Sequence, residues 1–203
     1  DGSGNPIYNT DWEEEVYGKT AISQNHQLSF RGGGDKTTYS ATLGYLHHNA
    51  LMAKNYLKRY GGQFNIDSRL RNWLTVGANI SLSHNTGNDL YNNYGIKRLA
   101  QEALPIIPVK YPDGSWGSNR DFPGAVQDAP MRYLEEMVKQ VTNTQMVSSF
   151  YMDFAISKDL DFKSTFAVDL KDQKNNNYDG RNLIQFGGLN NRGIAHIDIA
   201  NQR

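Results

Sequence analysis

Alternating apolar and polar residues predict an all-β chain folded as an antiparallel up-and-down meander. Three observations support this prediction: strict two-residue alternation in several windows, many turn-forming and aromatic residues, and connections that alternate between short and long. The clearest window is Leu74–Ser83, where the five residues on one face are apolar and the five on the other are not. A helix would repeat its apolar residues every three or four positions, so this window predicts a half-buried strand.

Composition agrees with an all-β fold and excludes several classes of function. The 19 glycines suit turns, and the 12 tyrosines and 8 phenylalanines favour strands. The 21 basic and 21 acidic residues cancel, so no net field attracts nucleic acid, and a nucleic-acid partner is not expected. Without cysteine, the chain forms no disulfide and offers no thiolate to a metal or to nucleophilic catalysis.

Six strands are predicted, at 22–31, 38–46, 56–67, 73–84, 145–156 and 160–171. Each presents apolar residues at alternate positions on one face. In chain order these are Ile22, Leu28 and Phe30; Tyr39, Ala41, Leu43 and Tyr45; Tyr56, Tyr60, Phe64 and Ile66; Leu74, Val76, Ala78, Ile80 and Leu82; Met146, Phe150, Met152, Phe154 and Ile156; Leu160, Phe162, Phe166, Val168 and Leu170. Most of these strands are as long as the roughly 9–11 residues that cross a bilayer with tilt.

The connections between the strands alternate in length. Short links lie at Gly32–Lys36, Ser68–Asn72 and Ser157–Asp159, and long ones at His47–Asn55, Thr86–Asn143 and from Lys171 onward. In a meander, alternate connections lie at opposite ends of the sheet, so one rim has tight turns and the other has long loops. This asymmetry is typical of a transmembrane outer-membrane β-barrel. A soluble all-β carbohydrate-binding module is the alternative.

The insertion 86–143 is too long for a structureless loop, and loops of this size are usually functional. It is predicted to be a long, partly helical extracellular loop. Apolar spacing predicts one short helix stopped by Pro105, with Ile96, Leu99, Ala100, Ala103 and Leu104 on one face. A second helix is predicted to begin at Pro130, with Met131, Leu134, Val138 and Val141 on its apolar face.

Aromatic residues and arginine on the long loops are the candidate ligand contacts. The predicted substrate-binding residues are Tyr91, Tyr94, Trp116 and Arg120, with Trp12 on another long loop. Aromatic rings offer flat apolar faces to sugar rings or peptide side chains, and arginine adds a rigid fork of donors. The same residues could instead pack the insertion against the rim of the sheet.

No catalytic, metal or cofactor site is predicted. The acidic residues occur in runs typical of solvated loops, without a convergent acid–base pair, so an enzyme is not expected. Gly32–Thr37 lacks the spacing of a phosphate-binding loop and leads into a strand, which favours a hairpin turn. Residues 113–121 place oxygens at alternate positions, but Ser118 and Gly124 stand where a calcium loop needs glycine and glutamate, so a polar loop is favoured.

Several segments, in order over 9–170, resemble one known family. They are Asn9–Trp12, Ser23–Phe30, Tyr39–Leu46, Lys58–Tyr60, Asn72–Gly77 and the proline-rich turn Pro112–Ser115. These segments are similar to the SusC/RagA family of TonB-dependent outer-membrane transporters of the Bacteroidetes. The start at Asp1, without an initiator methionine, suits the interior of a longer protein.

The resemblance implies a fold, a location and partners. It implies part of a barrel of about 22 strands in the bacterial outer membrane. It also implies energy-coupled import of oligosaccharides or oligopeptides, with a SusD-like surface lipoprotein over the mouth. A TonB–ExbB–ExbD complex would act through an N-terminal part that lies outside this chain. In this reading the apolar strand faces meet lipid, and polar residues such as Thr75, Asn79 and Ser81 line the lumen.

Overall fold

A single seven-stranded antiparallel sheet dominates the structure. The computed structural model describes residues 6–18, 20–88, 94–118, 129–180, 184–185, 188–189 and 194–202. Its strands are β1 (Ser23–Gly33), β2 (Thr37–Asn49), β3 (Tyr56–Arg71), β4 (Leu74–Asn88), β5 (Val138–Ser157), β6 (Leu160–Asp179), the two-residue strands β7 (Ile184–Gln185) and β8 (Gly188–Leu189), and β9 (Ile194–Gln202). The sheet has the order β1-β2-β3-β4-β5-β6-β9, and β7 pairs with β8 in a separate hairpin. The predicted all-β antiparallel meander is confirmed.

The tight turns lie where the short links were predicted. Gly33 and Thr37 bound the first hairpin, so Gly32–Thr37 is a strand connection and not a phosphate loop. Residues 72–73 and 158–159 form the other two tight turns, and both follow a register shift in the ladder. We call this end of the sheet the short-turn rim and the opposite end the long-loop rim.

Two predictions from the sequence are wrong. One concerns where the second helix ends, and the other where β6 ends. The second helix stops at Glu136, and Val138 and Val141 belong to β5 instead. Both valines are β-branched, and the backbone around Val141 pairs with the end of β4 on one side and with β6 on the other. Strand β6 continues to Asp179 and pairs with β9, where the sequence analysis placed a long connection from Lys171.

The pairing register gives the sheet one apolar and one polar face. Opposed residues in adjacent strands share a face, so the register extends each face across the whole sheet. The apolar face carries Leu28, Leu43, Phe64, Ile80, Phe150 and Phe166. The polar face carries Ser29, Thr42, Gln63, Ser81, Gln145 and Asp169.

The apolar face is uncovered. Leu43, Met152 and Phe166 are 58%, 53% and 66% exposed, although they lie in the middle of their strands. Among the described residues, every buried apolar side chain lies outside the strands. The sheet therefore contributes no core of its own to the described structure.

Three short helices pack together beside the long-loop rim. They are α1 (Trp12–Tyr17), α2 (Tyr94–Glu102) and α3 (Pro130–Glu136). Helix α2 confirms the first predicted helix, since Ile96, Leu99 and Ala100 are buried. No helix in the described part of the chain is both long and apolar enough to span a membrane.

Candidate functional site

The described hydrophobic core lies in a compact unit that we call the cap. The cap comprises residues 6–18, 50–55, 94–118 and 129–137. One cluster of buried residues joins all three helices to the β2–β3 loop: Val16, Met52, Ala53, Ile96, Leu99, Ala100, Tyr133, Leu134 and Met137. A second cluster contains Trp12, Ile107 and Ala129. The described part of the insertion, 94–118 and 129–137, is therefore a folded element.

Thr10, just before α1, and Trp12, its first residue, donate hydrogen bonds to backbone carbonyls of the insertion. Thr10 donates its backbone N–H to the Pro105 carbonyl and its hydroxyl to the Ile107 carbonyl, each at 2.7 Å. The indole of Trp12, only 3% exposed, donates to the Leu104 carbonyl at 3.0 Å. These donors satisfy three carbonyls of a segment that contains prolines and forms few bonds of its own. Trp12 thus packs the start of α1 against the insertion.

A side-chain hydrogen bond joins the cap to the sheet at the end of β4. The Asn88 amide donates to the Lys54 carbonyl at 3.1 Å, and its oxygen accepts from the Lys139 N–H at 2.9 Å. Lys54 also pairs with Glu135 of α3. The backbone N–H of Ala53 donates to the Val16 carbonyl at 2.9 Å. The Asn88–Lys54 bond joins the cap to the rim, and the Lys54–Glu135 and Ala53–Val16 contacts hold the β2–β3 loop to the helices.

A small exposed hairpin projects from the insertion around Gly114. Lys110 and Trp116 form its β-bridge, and Gly114 adopts a positive φ of 84° that the turn requires. The hydroxyl and then the backbone N–H of Ser115 donate to Asp113, and both bonds lower the pKa of that exposed carboxyl. The turn is thereby favoured above the unfolded pKa of Asp113, and this stabilisation is lost as the pH falls through the folded pKa.

Of the four predicted contact residues, Trp116 alone has both its backbone and its side chain in the described part of the structure. Trp116 is half-buried, and the Lys110 ammonium lies 4.3 Å from the centre of its ring. Tyr94 is the first residue of α2, but its side chain lies outside the described part of the structure. Tyr91 and Arg120 lie outside the described residues.

Sequence reasoning missed Lys110 as a neighbour of Trp116. The two residues flank the turn Tyr111–Ser115 at equal distances, and cross-strand partners in a hairpin share a face. Their equal distance from the turn is the sequence feature that could have predicted this contact. The pair displays a cation and an indole ring together, which suits a ligand that has both an anionic group and an apolar surface.

The polar face carries a network of side-chain hydrogen bonds. Hydroxyl and amide groups bond across the strands in four pairs: Ser29–Thr42 at 3.1 Å, Asn65–Ser40 at 3.0 Å, Asn79–Ser149 at 3.4 Å and Gln145–Asp169 at 3.0 Å. Most of these groups are uncharged and exposed. This face can therefore offer donors and acceptors to water or to a polar solute.

One tyrosine bridges two strands across a glycine on the polar face. Tyr151 of β5 reaches over Gly77 of β4 and donates to Asp67 of β3. A Cβ atom at Gly77 would lie 2.1 Å from the Tyr151 ring, so only glycine leaves room for this crossing. The Lys163 ammonium covers the same ring at 4.3 Å. The bridge links four neighbouring strands near the short-turn rim.

The fold of the chain is similar to part of two solved structures, each matched over 96% of the chain. One is the RagAB peptide transporter, with a TM-score of 0.70 and 22% identity, and the other is the RagAB peptide importer in its closed-closed state, with a TM-score of 0.69 and 21% identity. The chain covers 23% of the matched chain in each structure.

Sequence relatives identify the class, so the predicted resemblance to TonB-dependent receptors is confirmed. Homologues of the chain are TonB-dependent receptors, SusC among them. TonB-dependent receptor P26 of Formosa agariphila is 23% identical over 94% of the chain, and SusC of Bacteroides thetaiotaomicron is 25% identical over 80%. The chain spans only 19% and 17% of the length of these two curated relatives. No family model matches the chain.

Proposed function

We propose that this chain is a sector of the barrel wall of a SusC-like, TonB-dependent importer in the bacterial outer membrane. The observation that carries the proposal is the exposed apolar face, which a water-soluble protein would have to cover. In this arrangement the apolar face contacts lipid, the polar face lines the aqueous lumen, and the cap lies outside the cell.

Two rows of aromatic side chains border the apolar face at a distance that suits a membrane. Near the long-loop rim the register aligns His26, Tyr45, Tyr60 and His84, and near the short-turn rim it aligns Leu74, Phe154 and Phe162, with Trp73 stacked on Phe154. Ten residues of β4 separate the two rows, or about 34 Å of strand, which a 45° tilt reduces to about 24 Å. Outer-membrane barrels have an apolar band of about 25 Å between aromatic girdles.

The distribution of charged residues follows the same division, and on the apolar face between the two rows Thr37 and Ser68 satisfy each other by a hydrogen bond at 2.7 Å. Between the two aromatic rows, the apolar-face positions of β1–β6 include no charged residue. The bonded amides and hydroxyls at mid-strand, such as Asn65 and Asn79, lie on the polar face. Unpaired polar groups are costly in hydrocarbon, so this distribution favours lipid on one side and water on the other.

The cap is the proposed extracellular element that meets cargo and a SusD-like lipoprotein. Outer-membrane barrels place tight turns on the periplasmic side and long loops outside, which assigns the cap to the outer rim. The cargo class is an oligosaccharide or an oligopeptide, and the RagAB relative is a peptide importer. A TonB complex would supply the energy through other parts of the complete protein.

Replacing Trp116 and Arg120 together by alanine in the complete transporter is expected to weaken cargo affinity about tenfold. Trp116 lies in the exposed hairpin and Arg120 follows it by four residues in the sequence, so barrel insertion and heat stability should not change. Cargo binding to the purified transporter and uptake by cells measure the effect. A Trp73→Ala, Arg71→Ala variant removes the same residue types from the opposite rim and should keep full affinity.

The outcome distinguishes ligand contact from packing. If the correctly inserted double variant binds and imports cargo normally, Trp116 and Arg120 only stabilise the cap. If the wild-type chain is soluble and its apolar face is covered by another protein layer, the carbohydrate-binding module becomes the correct reading.

A further inference from the structure

A hollow of about 330 Å³ interrupts the apolar face near the short-turn rim. Its lining includes three small residues, Ser68, Ala78 and Ser164, and larger neighbours such as Met152 and Phe166. The register places these residues in two adjacent rows that run from β3 to β6. Small side chains on β3, β4 and β6 alternate with larger ones in these rows, and we call the hollow that they share the groove.

One cationic side chain lies on the same face, one row nearer the short-turn rim than the groove. Arg71 opposes Leu74 across the β3–β4 turn, and both are in the row next to Val76 and Ser68. Two residues of β4 separate Leu74 from Val76, about 7 Å along the strand. Arg71 is exposed, and the ring of Trp73 is stacked on Phe154 beside it at 6.2 Å between centroids.

We propose that the groove binds one acyl chain of a phospholipid and that Arg71 binds its phosphate. The inference rests on the proposed function, because it requires the apolar face to lie in the bilayer. Charge complementarity selects the occupant: a guanidinium pairs with phosphate in a bidentate way, and the groove beyond it is lined mostly by apolar side chains that suit an acyl chain. The short-turn rim then sits at the headgroup level of the inner leaflet, where Trp73 suits the interface.

The test measures phospholipid retained by the purified full-length transporter. Native mass spectrometry after delipidation and addition of phosphatidylglycerol counts bound lipid. Ala78→Phe fills the groove, and Arg71→Gln removes the charge. Both variants are expected to reduce retained phosphatidylglycerol at least tenfold relative to wild type. Ala41→Phe makes the same substitution elsewhere on the apolar face and should retain lipid as wild type does.

Membrane flotation of each variant separates this inference from the proposed function. Inserted variants that retain as much phosphatidylglycerol as wild type would overturn the lipid site and leave the barrel intact. Displacement of the bound species by inorganic phosphate alone would also overturn it, because the acyl chain would then contribute nothing. Wild-type protein that does not float with membranes would overturn both proposals.

Discussion

The Ile80→Arg variant is expected to lose about 2–4 kcal/mol of unfolding free energy in a lipid bilayer. Ile80 lies on the apolar face in the row between Phe64 and Ser148, close to midway between the two aromatic rows. An arginine there must leave water, distort the bilayer or bend its side chain toward the interface. Urea unfolding of the complete barrel in liposomes measures the loss.

A neighbouring position supplies the control for this prediction. Asn79 points to the polar face one residue away and opposes Asn65 and Ser149. The Asn79→Arg variant places the same charge on the proposed lumen side and should change the unfolding free energy by less than about 1 kcal/mol. Equal losses in the two variants would show that the two faces are not lipid and water.

The Trp12→Ala variant is expected to destabilise the cap by about 3–5 kcal/mol while leaving the strand ladder intact. The substitution removes a buried ring from the cluster with Ile107 and Ala129 and leaves the Leu104 carbonyl without its 3.0 Å donor. Amide hydrogen exchange should therefore accelerate about 100-fold or more in residues 94–118 and 129–137.

Trp73→Ala is the matched control for the cap. Trp73 is 53% exposed at the opposite rim, so its loss should not change exchange in the cap. Unchanged exchange in Trp12→Ala would mean that the cap does not depend on this anchor. Acceleration spread equally over β1–β6 would mean that the cap and the sheet unfold as one unit.

The strands were predictable because the alternation of apolar and polar residues that indicates a strand lies within a short stretch of sequence. Leu74–Ser83 alternates without interruption, and turn-forming glycine, asparagine or aspartate lies in each tight turn: Gly34, Asn72 and Asp159. In-register pairing then follows, since a slip by one residue would move Ile80 and its neighbours to the polar face. The class of protein was predicted from the similarity of several segments to a known family. Alternation of apolar and polar residues alone predicts only the strands.

Other features depend on contacts that sequence spacing does not reveal. Val138 and Val141 continue a helical spacing, but pairing on both sides outweighs it and forms β5. Helix α1 was not predicted, because it is only six residues long and is fixed by the Asp11 cap and by burial of Trp12 and Val16. The stacking of Lys110 on Trp116 depends on a hairpin whose register only the fold sets.

Surface labelling of single cysteines in intact cells tests the proposed topology most directly. The 203 residues contain no cysteine, so each introduced thiol here is unique. Leu51 is 60% exposed in the β2–β3 loop of the cap, and Lys158 lies in the β5–β6 turn of the short-turn rim. In the complete transporter, a membrane-impermeant maleimide should label Leu51→Cys on intact cells and Lys158→Cys only after the outer membrane is permeabilised. The reverse pattern, or labelling of both sites from outside, would contradict the barrel topology on which the proposed function depends.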